Sequence, residues 1–94
     1  MPTLHIEHAI TDFPTWQAAF DQFAEARAEA GVRGHRVQHP VEEPHVVVID
    51  LDFDTAEEAE GFLAFLETRV WASVDASPAL VGAPRARIFV PHSE

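Results

Sequence analysis

Apolar and polar positions alternate from Thr3 to Ile10. Leu4, Ile6, His8 and Ile10 share one face, and Thr3, His5, Glu7 and Ala9 share the other, which predicts a strand. Asp12-Phe13-Pro14 is a helix-start signal, with an acid at the positive end of the dipole and Pro in the first turn. Phe13, Trp16, Phe20 and Phe23 recur at three- and four-residue spacing and predict one apolar stripe on a helix that stops at Ala30-Gly31. Arg33 to His39 reads as a weakly patterned strand, followed by an acidic turn between Pro40 and Pro44. His45 to Phe53 is the clearest strand, with Val47, Ile49, Leu51 and Phe53 opposite Val46, Val48, Asp50 and Asp52. Thr55 with Glu58 forms a capping box for a helix that buries Ala59, Phe62, Leu63, Leu66 and Val70 and ends near Trp71. Ser77-Pro78 starts a short turn closed by Gly82 and Pro84, and Arg85 to Pro91 is the last strand.

The order strand, helix, strand, strand, helix, strand gives an α+β chain. It is a ferredoxin-like βαββαβ domain over 1–94, with a four-stranded antiparallel sheet and two helices on one face. Leu4, Ile6, Val47, Ile49, Leu51, Phe53, Ile88 and Val90 are expected to face the helices. The other face mixes Val46, Val48 and Phe89 with His5, Glu7, Asp50 and Arg87. Left open it exposes an apolar patch, so a second copy of the chain is expected to cover it as a homodimer.

Composition narrows the function classes. Six Arg, no Lys and sixteen acids leave a net charge of −10, which repels nucleic acid and anionic membranes. No apolar run reaches the roughly 20 residues of a membrane span. No basic region followed by an apolar core opens the chain, so a cytoplasmic protein is expected. Cys is absent, which removes disulfides, thiolate nucleophiles and Cys-ligated metals.

Asp12-Phe13-Pro14-Thr15-Trp16 with Phe20 and Phe23, Gly31-Val32-Arg33, the run Val46 to Thr55 leading into Glu57-Glu58-Ala59 and Phe62, and Trp71 together resemble the dimeric α/β-barrel superfamily. The resemblance spans nearly the whole chain and implies two sheets facing each other. It also implies a pocket within the barrel or between sheet and helices. The superfamily includes antibiotic-biosynthesis-type monooxygenases, haem-degrading enzymes and polyketide cyclases, and fold alone does not transfer function. The oxygenating branches use an Asn, a Trp and a His or Tyr. Only Trp71 has a counterpart here, because Asn and Tyr are absent.

His5 and Glu7 share one strand face with side chains roughly 7 Å apart. Asp50 is expected on one side of them and Arg87 on the other. One reading makes His5, Glu7 and Asp50 catalytic, with a carboxylate raising the basicity of His5 and Arg87 holding an anion. The other makes the group an ion-pair network at the dimer interface, with Arg87 set against Glu7. Trp71, His35 and Phe89 are candidate ligand-binding residues, His35 lining a pocket beside Trp71. His35 and His39 lie roughly 13 Å apart on a strand and cannot share a metal ion. Neither a metal nor a cofactor is expected. The expected function is binding of a small, partly aromatic molecule with cyclase-like or proton-transfer chemistry. The alternatives are a non-catalytic ligand-binding or stress-associated dimer and a cofactor-independent monooxygenase.

Overall fold

In a computed structural model describing residues 1–92, the alternation of the first segment becomes β1 (Thr3–Ile10), with Leu4, Ile6, His8 and Ile10 all buried. β2 (Gly34–Gln38), β3 (Val46–Asp52) and β4 (Leu80–Phe89) complete an antiparallel sheet in the order β2-β3-β1-β4. Val47, Ile49 and Leu51 are buried on the face that carries the helices, as their alternation requires. Leu4, Val47, Leu51 and Phe53 are the largest fully buried side chains. Each contributes about 1.5–3 kcal/mol on burial.

The first crossover is a broken helix rather than a continuous one. α1 (Phe13–Gln22) starts at Asp12, whose carboxylate accepts the Thr15 N–H at 2.8 Å. α2 (Ala24–Glu29) follows after Phe23. The break coincides with a side-chain hydrogen bond from beyond the turn. The Phe20 carbonyl accepts the N–H of Phe23 at 3.2 Å and a proton from the Arg27 guanidinium, so the α-helical ladder is interrupted there. α2 ends in a Schellman motif, with Val32 N–H donating to Arg27 O at 3.0 Å and Gly31 N–H to Ala28 O at 3.2 Å. Gly31 holds φ +97°, the left-handed conformation this motif needs.

α3 (Ala56–Phe65) carries the expected capping box. Glu58 N–H donates to Thr55 Oγ1 at 3.1 Å, and Thr55 N–H donates to Glu58 Oε1 at 3.3 Å. The helix widens into one π-helical turn over Leu66–Val70 before Trp71.

The last strand begins earlier than its sequence pattern suggests. β4 opens at Leu80, runs through Gly82 and Pro84, and shifts register against β1 between Glu7 and Ala9. Gly82 sits at φ +72° within this bulge. Pro84 is tolerated because β4 is an edge strand and needs no outward N–H partner. Val90 lies beyond the strand end and is 64% exposed, so it leaves the core that Ile88 joins.

Candidate functional site

Between the sheet and the helices lies a cavity of about 80 Å³. The inner space is several times what one water needs. Ile6, Ile49 and Leu51 form its floor, Trp16, Phe20 and Phe23 one wall, and Phe62, Leu66 and Val70 another. Trp71 and the segment Ala76 to Leu80 border it as well. Trp16 stacks on Phe20 with ring centroids 4.8 Å apart. Ser77 fixes its stretch of wall by donating from Oγ to the carbonyls of Val70 at 2.9 Å and Ser73 at 2.8 Å.

Two charged or titratable residues reach this apolar space, His8 and Arg27, at 7% and 8% exposure. Burial pushes the His8 pKa down, so the ring is neutral at pH 7. Its Nδ1 lies 3.2 Å from the Ala9 carbonyl, which assigns the proton to Nδ1 and leaves Nε2 as an acceptor. Among the described residues no fully buried side-chain nitrogen or oxygen lacks a partner. Among those residues Nε2 has no hydrogen-bond partner, so it is not fully buried.

Arg27 lies with its guanidinium carbon 3.6 Å from the Phe20 ring centroid and donates from Nη1 to the Phe20 carbonyl. The helix break that frees this carbonyl also turns Arg27 inward. Desolvation lowers the Arg27 pKa, though an arginine keeps its charge at pH 7.

Neither residue stood among the sequence candidates. His8 was signalled by its place with Leu4, Ile6 and Ile10. Arg27 was signalled by following Phe20 and Phe23 at seven and four residues, which continues the apolar stripe.

The opposite sheet face gathers the other candidates. His5 pairs with Asp50 on β3 and with Arg87 on β4, while Glu7 faces Arg85. The expected Glu7–Arg87 register is therefore off by two residues, displaced along an edge strand whose pattern Gly82 and Pro84 obscure. The Arg87 guanidinium instead lies 5.1 Å from the Phe89 ring centroid. His5 Nδ1 is 2.7 Å from Asp50 Oδ1, and Nε2 is 2.9 Å from Glu7 Oε2. Ionised carboxylates only accept, so both contacts require the imidazolium. The hydrogen bond to Glu7, then the pair with Asp50, raise the His5 pKa against partial burial. Arg36 adds a contact of 3.4 Å to Asp50, and the Phe89 ring packs edge-on to His5 at 5.8 Å. Neither nitrogen of His5 is left to take a proton from a substrate.

Trp71 borders the cavity with His8 and Arg27. His35 lies on exposed β2, edge-on to Phe20 with ring centroids 5.4 Å apart, and does not line the cavity beside Trp71. Among the described residues no group of three acids or histidines is arranged to hold a metal ion. No helix among them is long and apolar enough to cross a membrane.

No family model matches the chain, and no curated protein matches it. Solved structures do. One is a candidate antibiotic biosynthesis monooxygenase from Bordetella bronchiseptica, 12% identical with TM-score 0.71, covering 98% of each chain. A second is SnoaB, a cofactor-independent oxygenase from Streptomyces nogalater, 13% identical with TM-score 0.70, covering 99% of this chain and 94% of that one. A third is a dimeric ferredoxin-like protein from an uncultured marine organism, 12% identical with TM-score 0.62, covering 100% of this chain and 97% of the other. At such identities the likeness is one of fold, and the ferredoxin-like fold expected from the sequence is the fold present.

Proposed function

We propose that this ferredoxin-like protein binds a compact aromatic molecule between its sheet and helices and takes a proton from it at His8 Nε2. The observation that carries this reading is a neutral histidine, its acceptor nitrogen open, in an aromatic cavity whose lining holds no carboxylate. A proton leaving an acidic C–H or O–H passes to Nε2 and gives an imidazolium. The electron pair stays on the ligand as an enolate or phenolate, and the positive Arg27 in the same lining favours that anion. This is the first step of a cyclase-like or isomerising reaction.

The open sheet face serves assembly in this reading. Phe89 is 46% exposed there, beside the half-buried Val46 and Val48. A second copy would cover them, and His5, Glu7, Asp50 and Arg36 would balance charge at the join. The dimeric ferredoxin-like protein of the same fold supports that assembly.

A second reading draws on the likeness to a cofactor-independent oxygenase. Oxygenation without a cofactor would use the same cavity and a deprotonated ligand. The experiment is solvent deuterium exchange into the acidic benzylic C–H of phenylacetone, a one-ring ketone, followed by NMR, with tryptophan fluorescence reporting binding. His8→Gln is expected to slow exchange by about 100-fold or more while leaving affinity intact. Equal acceleration in the variant would remove His8 as the base, and exchange in the parent no faster than in buffer would leave a non-catalytic binding protein. Absence of saturable binding would remove the cavity from consideration.

A further inference from the structure

Arg27 is buried and, among the described residues, makes no ion pair. Among the described residues the arginine ion pairs are Arg33 with Asp54 and Arg36 with Asp50, and neither involves Arg27. The acid whose charge reaches it is Asp21, an exposed residue on the outer side of α1. One hydrogen bond from Nη1 and the face of Phe20 offset part of the cost of desolvating a guanidinium. Among the described residues Nε and Nη2 have no acceptor and neither is fully buried, and Arg27 lines the cavity. The cavity thus presents the unused edge of a planar, positive donor fork in an apolar chamber that carries no negative group of its own.

We infer that the cavity takes its ligand as a carboxylate, an aryl or arylalkyl acid of about one ring, with the carboxylate on Arg27 and the ring among Trp16, Phe20 and Trp71. This rests on the cavity being the binding site, as proposed above. Three features select a carboxylate. Its two coplanar oxygens match a guanidinium edge, which a single phenolate oxygen does not. It carries one charge against one, whereas a phosphate dianion would bring a surplus negative charge into an apolar chamber. It arrives ionised at pH 7, so anchoring it leaves His8 Nε2 unused and able to act on another position of the ligand. The inner volume of about 80 Å³ favours one ring over a fused system unless the ligand extends through the mouth.

The test compares benzoate and phenylacetate with their neutral amides by calorimetry and by NMR of the indole N–H groups and the Arg27 Nε–H. The acids are expected to bind about tenfold or more tightly than the amides, as loss of a charge-assisted hydrogen bond implies. Arg27→Gln should erase that preference and leave amide binding as it was. The Arg27 Nε–H resonance in the unaltered protein should move with the acids and not with the amides. This last measurement decides the matter even where Arg27→Gln fails to fold. Equal affinity for acids and amides, a preference that survives Arg27→Gln, or a stationary Nε–H resonance would overturn the carboxylate assignment and leave the cavity as a binding site. Failure of every probe to perturb Trp16 or Trp71 would overturn both.

Discussion

His5 and His8 stand three positions apart on β1 and project from opposite faces of the sheet, in opposite states of protonation. His5 is clamped between the carboxylates of Asp50 and Glu7, and His8 is buried among aromatic rings. NMR titration should find the midpoint of His5 above the ordinary histidine value of about 6.5 and that of His8 below it. Coincident midpoints would contradict both environments.

The two shifts act on stability at different ends of the pH scale. For His8 the unfolded chain binds the proton more tightly, so its neutral burial costs stability as pH falls through about 6.5 towards the depressed folded value. For His5 the stabilising contribution is full below about 6.5 and is lost as pH rises through the raised folded value. Urea midpoints between pH 5.5 and 7.5 should therefore fall less on the acid side in His8→Gln than in the parent. His5→Gln should flatten the alkaline side instead. An acid-side slope unchanged in His8→Gln would refute this account.

Glu7 should couple to His5 and not to Arg87. The pair His5–Glu7 is in contact at 2.9 Å, whereas Arg87 faces His5 across the strands and lies against Phe89. A double-mutant cycle in denaturant should give a few tenths of a kcal/mol for Glu7 with His5, because Glu7 is half exposed. For Glu7 with Arg87 it should give less than that, and the reverse order would restore the Glu7–Arg87 pairing.

Gly31→Ala should destabilise the chain by about 1–2 kcal/mol. The added Cβ would have to accept φ +97° and would come within 2.6 Å of Glu58 Oε2, the carboxylate of the capping box. Adding Glu58→Ala would remove the contact but not the backbone strain. Thermal unfolding of the single and double variants should thus show only partial recovery.

Val48→Glu places a charge on the half-apolar sheet face with no opposite charge assigned to it. Light scattering of the parent should show a dimer at micromolar concentration, consistent with an interface above about 1,200 Å². The variant should shift to monomer or lose its fold. A parent that scatters as a monomer would refute the assembly proposed here.

The sheet was legible because β1 and β3 alternate cleanly and β3 is flanked by strong turn signals. The capping box of α3 was legible because Thr55 and Glu58 satisfy each other's backbone within four residues. Longer-range causes stayed hidden. The break at Phe23 depends on where the Arg27 side chain finds an acceptor, and no local propensity records that. The start of β4 was masked by Gly82 and Pro84, which read as a turn unless the edge position of the strand is known. A pocket between sheet and helices was implied by the resemblance, and Trp71 with it, but the polar residues of the cavity escaped for a related reason. His8 and Arg27 each obey an apolar pattern, and only their burial shows that a polar residue has been placed where the pattern calls for an apolar one.

The π-helical turn at Leu66–Val70 takes up one extra link of the chain. Its wider loop, closed by Trp71 N–H on the Leu66 carbonyl at 2.7 Å, accommodates one residue more than an α-helical turn would. One residue corresponds to about 100° of helical rotation. The wider turn takes up that residue, so Trp71 keeps the direction it would have four residues after Leu66 in an unbroken α-helix. Deleting Thr68 would close the turn to α-helical spacing and leave the indole at the cavity, whereas a regular α-helix through the present sequence would swing it by about 100°. A chain of this fold can in that way gain or lose a single link without moving that side of its chamber.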